Sequence, residues 1–526
     1  MDVYSFAIFR ITIMKKYLFT LLGKLLCLSQ LAQAQLELPA IFSDNMVLQQ
    51  KMAIPVWGKS CRGCEVQVSF DGFSLKTKTD KNGHWKINMP AHTAGGPFQL
   101  LVTSQKQRLV FQNILVGEVW LCAGQSNMEF RLEQTKNAKQ EISQANNTQI
   151  RLFRMTPRAK ARPLAKVVFS DSLLSELQAG KFYEPTSWQV CTSETAAKFS
   201  AVGYYFGKQL QQKLNVPIGL ICNAVGGTTT QAYIDSASLA SHPQLQQFVD
   251  KDWLQKAQDI HPWVLERSNE NLALTLHDAT PNRKFLHPFA GSFLFNNGIK
   301  PLAPFAIKGV IWYQGESNAT HPEIHNPLFE TLVKSWRKTW NQGDFPIYTV
   351  QLPAIANRSG WPAFRASQFE LSQKINNVGM IVSIDTGDSL DVHPTDKKPI
   401  GERLSLLALG KTYQLPLDYS GPIFKEYQQK GNTLELSFDF SRQLQTSDGL
   451  NPKGFILQGF NLGGTEVSFF YPEKITLFSD KIILTLPSDK QVAQINYAWL
   501  PNPKCNIVNE ANLPLMPFKI ELNGNF

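Results

Sequence analysis

The 526-residue chain is 43% hydrophobic and 18% charged, which excludes a disordered or collagen-like protein and supplies enough apolar material for packed cores. Its 52 Lys and Arg against 42 Asp and Glu give +10. That excess is spread thinly, with no run of five basic residues, so a nucleic-acid or polybasic membrane surface is excluded as the main partner.

Lys15 and Lys16 precede an apolar stretch from Tyr17 to Leu28 that ends in Ala32-Gln33-Ala34. This order of charged, apolar and small residues is the pattern of a secretory signal peptide, so residues 1–34 are expected to be removed and the protein to be secreted or periplasmic. Met14 is then the start and Gln35 the first mature residue. The stretch is too short for a membrane anchor and contains Lys24, and no later segment is apolar enough to span a bilayer. Cys61 and Cys64 have CxxC spacing without a second pair. A local disulfide or plain thiols fit that spacing better than a zinc or redox site.

From Leu36 to about Val110 short alternating runs such as 65–70 and 85–89 are separated by turn signals at 80–83 and 95–97, which predicts an antiparallel β-domain over 35–110. Continuous apolar runs then appear at 118–123, 217–222, 308–313, 346–350 and 380–384. Such runs suit strands covered on both faces of a parallel sheet. Helical periodicity falls at 197–214, at 326–340 and after Pro394, where Thr395 is placed to cap a helix burying Ile400, Leu404 and Leu407. The α/β domain is therefore expected over 111–415, with 131–195 and 236–290 as polar insertions. Alternation returns after Pro416 and predicts a β-rich segment over 416–526.

Ligands of an open parallel sheet bind beyond the carboxyl ends of its strands. Four of those ends carry useful groups: Gly124 to Met128, Asn223 to Thr228, Gln314 to Asn318, and Asp385 to Pro394. A serine hydroxyl needs a base and its oxyanion needs preorganised donors. Ser126 can present its oxygen and backbone N–H, Gly227 allows close backbone approach, Gln314 or Asn318 offers an amide, and His393 offers an imidazole. His321 and His325 have i, i+4 spacing, but Pro322 places them at a loop-to-helix boundary without the expected acid, so a surface loop is the better reading than a metal site. Glu316 lacks a matched second carboxylate for glycoside hydrolysis and is read as bracing its turn.

The stretches Trp120 to Met128, Trp312 to Asn318 and Asp391 to Pro394, with Gly401 to Leu404, resemble the sialate O-acetylesterases within the SGNH (GDSL-like) hydrolases. Phe42 to Gln49, Tyr497 to Trp499 and Cys505-Asn506 are similar to that family's flanking β segments, so the resemblance covers nearly all of the mature chain. It implies an SGNH-hydrolase, flavodoxin-like parallel-sheet domain flanked by sandwich- or jelly-roll-like β segments. It also implies Ser126 as nucleophile, His393 as general base, Gly227 with Gln314 or Asn318 at the oxyanion hole, and no cofactor or metal. The usual DxxH spacing would put an acid at Leu390; Asp391 is nearest, and Asp388, Asp385 or a Ser-His dyad remain open. The implied partner is an acetylated sugar, with no nucleic acid and no membrane span. The implied activity is removal of O-acetyl groups from sialic acids. An acetylated plant polysaccharide of xylan type is the alternative substrate, and a carbohydrate-binding protein with a degenerate core the non-enzymatic one.

Overall fold

The computed structural model describes residues 35–159, 167–178, 180–250, 252–256, 259–273, 286–462, 464 and 466–522; the expected signal peptide lies outside them. Among the described residues no helix is long and apolar enough to cross a membrane. The chain divides into two compact units, the smaller holding 55–90 and 98–112 with residues up to 39, the larger the remainder. In the smaller unit Glu65–Phe70 and Phe73–Lys78 form a hairpin, and residues 66–70 also pair antiparallel with 100–104. The period-2 pattern is what folds it: Val66, Val68 and Phe70, and likewise Trp85, Ile87 and Met89, point alternately inward and are buried. Cys61 and Cys64 form a disulfide.

The larger unit is built on a sheet whose elements, in chain order, are β1 (Gln107–Gly124, of which 113–124 belong to this unit), α1 (Ser126–Glu129), β2 (Asn147–Arg154), β3 (Gln189–Cys191), α2 (Ala201–Leu214), β4 (Ile218–Ala224), α3 (Pro262–Asn271), β5 (Gly309–Tyr313), α4 (His325–Trp340), β6 (Ile347–Val350), α5 (Trp361–Lys374), β7 (Val378–Ile381) and α6 (Lys398–Lys411). The strand order is β7-β6-β5-β1-β4-β2-β3. Neighbours run parallel except β3, which is antiparallel to β2. Every residue of β4 through β7 is buried, as strands covered on both faces require. One face packs Trp120, Leu220 and Tyr348 against Val202 and Phe206 of α2 and Ile400, Leu404 and Leu407 of α6. On the other, Trp312 meets Trp336 of α4 at 5.6 Å between ring centroids.

Two expectations need correction, and one helix was not anticipated. The segment 131–195 is not merely an insertion, because β2 lies inside it and pairs directly with β4. Its apolar run is short and flanked by polar residues, so composition masked it. Helix α6 begins at Lys398 with no side-chain cap, so Thr395 does not cap it. The helix α5 had no clear apolar stripe in the sequence: its buried side includes Arg365, Gln368 and Ser372. Arg365 is held by four backbone carbonyls, those of Leu352, Pro353, Leu500 and Pro501. After Pro416 two antiparallel four-stranded sheets bury one core containing Leu434, Leu436, Leu457, Leu484 and Ile495.

Candidate active site

Strand β1 lies between β4 and β5, so the chain order reverses across its carboxyl end and opens a crevice there. Gly124 has φ +136°, and a Cβ on it would sit 2.1 Å from the carbonyl oxygen of Tyr313. Glycine is therefore required for β1 to end against β5. The next peptide N–H, of Gln125, donates to that same Tyr313 oxygen at 3.0 Å. The chain then turns, and Ser126 starts α1, where its backbone N–H has no intrahelical acceptor.

His393 arrives on the loop between β7 and α6. Its Nε2 is 2.9 Å from Ser126 Oγ, and its Nδ1 is 3.1 Å from Asp391 Oδ1. The same Asp391 oxygen accepts the backbone N–H of His393 at 2.8 Å, which folds the two residues onto one face. The other two acids are engaged elsewhere. Asp385 forms a two-pronged ion pair with Arg403, each prong 2.6 Å. Asp388 accepts the backbone N–H groups of Leu390 and Asp391.

Gly227 lines the cavity above Ser126, but Gln314 and Asn318 do not. The Gln314 amide donates to Asn318 Oδ1 at 2.6 Å and accepts from the Thr230 hydroxyl at 2.6 Å. The Asn318 amide donates to Gln231 Oε1 at 3.1 Å. Both amides are thus turned into a buried cluster, which corrects the expectation that either faces the reacting oxygen. Gln125 does line the cavity. Its Oε1 accepts the N–H groups of Gly315 and Ser317 at 3.4 and 3.3 Å, and its amide nitrogen makes no hydrogen bond among the described residues. The signal for it stood beside Ser126, in the same turn motif.

Behind the turn lies a buried layer that sequence reasoning missed in part. Asn127 donates to Glu316 Oε1 and, at 2.8 Å, to the Val392 carbonyl, and accepts from Lys397 Nζ. Lys397 is fully buried, with its ammonium 4.9 Å from the Phe130 ring centre and 5.6 Å from that of Tyr313. Burial pushes the Glu316 carboxyl up and the Lys397 ammonium down to about 7, the latter opposed by the Glu316 charge. Glu316 does brace its turn, through Asn127. Nothing in the spacing around Lys397 marked it.

The cavity over Ser126 and His393 has a volume of about 420 Å³. Its wall includes His261, Trp263 and Arg267 around the start of α3, and Arg358 and Trp361 before and in α5. His261 Nδ1 accepts the N–H of Trp263 at 3.3 Å, and burial pushes this imidazole down to about 4. Arg267 pairs with Glu270 at 3.0 Å. Gly227 has φ +78°, and a Cβ there would strike the rings of Trp263 and Phe289, so glycine lets this wall close on the turn. His321 pairs with Glu323 at 3.2 Å, while His325 is buried with its ring 4.1 Å from Phe364; the two histidines do not share a surface loop.

Residues 116–258 and 290–408 match the family described as carbohydrate esterase, sialic acid-specific acetylesterase. The chain is 26% identical to the human sialate O-acetylesterase over 521 residues, 90% of this chain and 91% of that one. It is 28% identical to the rat sialate O-acetylesterase, covering 91% and 93% of the two chains. Among solved structures, a carbohydrate acetylesterase from Xanthomonas citri is 31% identical with a TM-score of 0.75, covering 93% of this chain and 100% of that one.

Proposed function

The chain belongs to the sialic acid-specific acetylesterase family of carbohydrate esterases and is a carboxylic ester hydrolase, and from that premise we propose that it is a secreted SGNH-type enzyme that removes O-acetyl groups from sialic acids. In this reading the catalytic domain spans about 111–415, and 35–110 and 416–526 are flanking β segments. The observation that carries it is the 2.9 Å hydrogen bond between Ser126 Oγ and His393 Nε2, continued at 3.1 Å to Asp391.

With Asp391 accepting the Nδ1–H, Nε2 is left as the acceptor that takes the Ser126 proton. Oγ bonds to the acetyl carbon, and the carbonyl oxygen becomes an oxyanion received by the backbone N–H groups of Ser126 and Gly227, with the Gln125 amide as the side-chain donor. Gly226 is not available for this, because its N–H donates to Glu129 at 2.8 Å. The bond to the sugar oxygen breaks as His393 returns its proton to that oxygen. Water then attacks the acetyl-serine while His393 takes its proton. Acetate leaves as the proton passes to Oγ. His393 gives up in each half of the cycle the proton it took in that half, and Ser126 regains at the end the proton it lost at the start, so the balance calls for no cofactor. The aromatic wall of Trp263 and Trp361 suits the apolar faces of a sugar ring.

The test is acetate release from O-acetylated sialic acid beside acetylated xylan, with wild-type protein and Ser126→Ala. Release from the sialic acid that vanishes in the variant supports the reading. Release from xylan alone would move the substrate, and undiminished release by a folded Ser126→Ala protein would remove the nucleophile. A serine-directed phosphonate should label Ser126.

A further inference from the structure

One sheet of the C-terminal segment is formed by Val467–Phe470, Phe455–Asn461, Lys490–Tyr497 and Phe518–Glu521. Phe455, Leu457, Ile495, Tyr497, Phe518 and Ile520 point into the core and are buried. The alternation sends their neighbours to the opposite face. The register aligns Phe469, Gln458, Gln494 and Glu521 in one cross-strand row, and Ile456, Asn496 and Lys519 in the next. At the edge Phe469 is 68% and Tyr471 73% exposed. Two cavities, of about 490 and 680 Å³, share Ile456, Tyr471, Trp499 and Leu500 in their walls, so they adjoin at the two rings.

Exposed aromatics clustered beside a cavity mark an interaction site, where single ones do not. The polar partners on the face are amides. Gln458 makes no side-chain hydrogen bond among the described residues. Gln494 donates to Asn496 Oδ1 at 2.6 Å and keeps its oxygen free to accept. Amides supply both donors and acceptors, as hydroxyl groups require, and ring faces cover the apolar C–H faces of pyranoses. Lys519 and Glu521 leave the two rows with no net charge, whereas Lys453, Glu473, Lys474 and Lys504 line the wider cavity outside the rows. The rows therefore match an uncharged ligand, and a preference for an acidic one would have to come from the lysines beyond them.

We propose that this face is a second carbohydrate site, separate from the Ser126 cavity, that holds an uncharged oligosaccharide of equatorially substituted pyranoses. It stands independently of the esterase reading. The experiment is calorimetric titration of the full chain with xylohexaose and with cellohexaose, 3′-sialyllactose serving as the acidic comparison. Wild-type protein, Tyr471→Ala, Phe469→Ala and Gln458→Ala are compared, and hydrolysis of 4-nitrophenyl acetate is followed in each. The wild type should bind at least one neutral hexasaccharide, and Tyr471→Ala and Phe469→Ala should each weaken it by about tenfold. Gln458→Ala should weaken it a few-fold, and ester turnover should not change in any variant. The proposal is overturned by absence of binding to both hexasaccharides, by full binding in both aromatic variants, or by preference for sialyllactose. It is also overturned if sedimentation shows a wild-type dimer that the same substitutions dissociate, since the face would then join two copies.

Discussion

Two polar groupings lie on neighbouring strand ends and differ in almost every respect. In the chain from Ser126 through His393 to Asp391 the side chains are joined in single file, and the Asp391 side chain is 63% exposed. In the cluster of Gln314, Asn318, Thr230 and Gln231 every residue is at most 3% exposed and the amides are satisfied chiefly by one another. The difference separates reactivity from architecture. On the proposed reading, groups that must exchange protons keep an unfilled valence toward the cavity, while groups that fix the strand ends fill theirs within the protein, the Gln231 amide nitrogen excepted.

The strongest way to break this contrast is Ser126→Ala, which should lower acetyl-ester turnover by at least about 10⁴ with an unchanged circular dichroism spectrum. His393→Ala should lose a comparable factor, and the double variant little more, because one unit fails once. Additive losses would mean that the two do not act together. Asp391→Asn sharpens the comparison. A buried triad aspartate is worth about 10⁴, and exposure of Asp391 to solvent reduces this to an expected loss on the order of 10². Turnover within a few-fold of wild type would remove Asp391 from the mechanism.

On the architectural side, Gln314→Ala should destabilise the protein by about 1–3 kcal/mol in denaturant unfolding, since it removes two buried hydrogen bonds and leaves the Thr230 hydroxyl only its 3.3 Å contact with Asn318 Oδ1. A variant of unaltered stability whose turnover falls a thousandfold would place Gln314 with the reacting groups instead. An effect graded with pH, and not set by a substitution, concerns His287, which is fully buried. Its Nδ1 accepts the Phe289 N–H at 3.1 Å and its Nε2 meets Asn271 Oδ1 at 3.1 Å, an arrangement that suits only the neutral ring. Burial pushes it down to about 3, against about 6.5 in an unfolded chain. Between those values the unfolded chain binds a proton that the folded one refuses. Stability should therefore fall as pH drops below about 6.5, approaching roughly 1.4 kcal/mol per pH unit for this group. His325, pushed down to about 3 by burial, acts in the same direction. Thermal midpoints between pH 4 and 7 check this, and His287→Gln should flatten the slope.

Strands with continuous apolar runs were legible because burial on both faces leaves no other composition, and β1, β4, β5, β6 and β7 all stand where such runs fall. Ser126 and His393 were legible because strand ends in a parallel sheet converge, so residues 267 apart meet at 2.9 Å. Side-chain direction was not legible: Gln125, Gln314 and Asn318 are equally suitable amides, and only the turn geometry decides which of them faces the cavity. Lys397 was hidden for a different reason. A lysine before a helix reads as surface, and its burial depends on Asn127, Phe130 and Tyr313 from two distant segments.

The wall of the cavity is drawn from more than one passage of the chain. His261, Trp263 and Arg267 all fall between the two stretches of this chain, 116–258 and 290–408, that match the family. The serine turn and the histidine loop lie inside those stretches. Arg358 and Trp361, in the same wall, lie inside the second stretch. The pocket is thus assembled from both kinds of passage, and residues 261–267 form a part of it that can be rewritten without touching either the serine turn or the histidine loop.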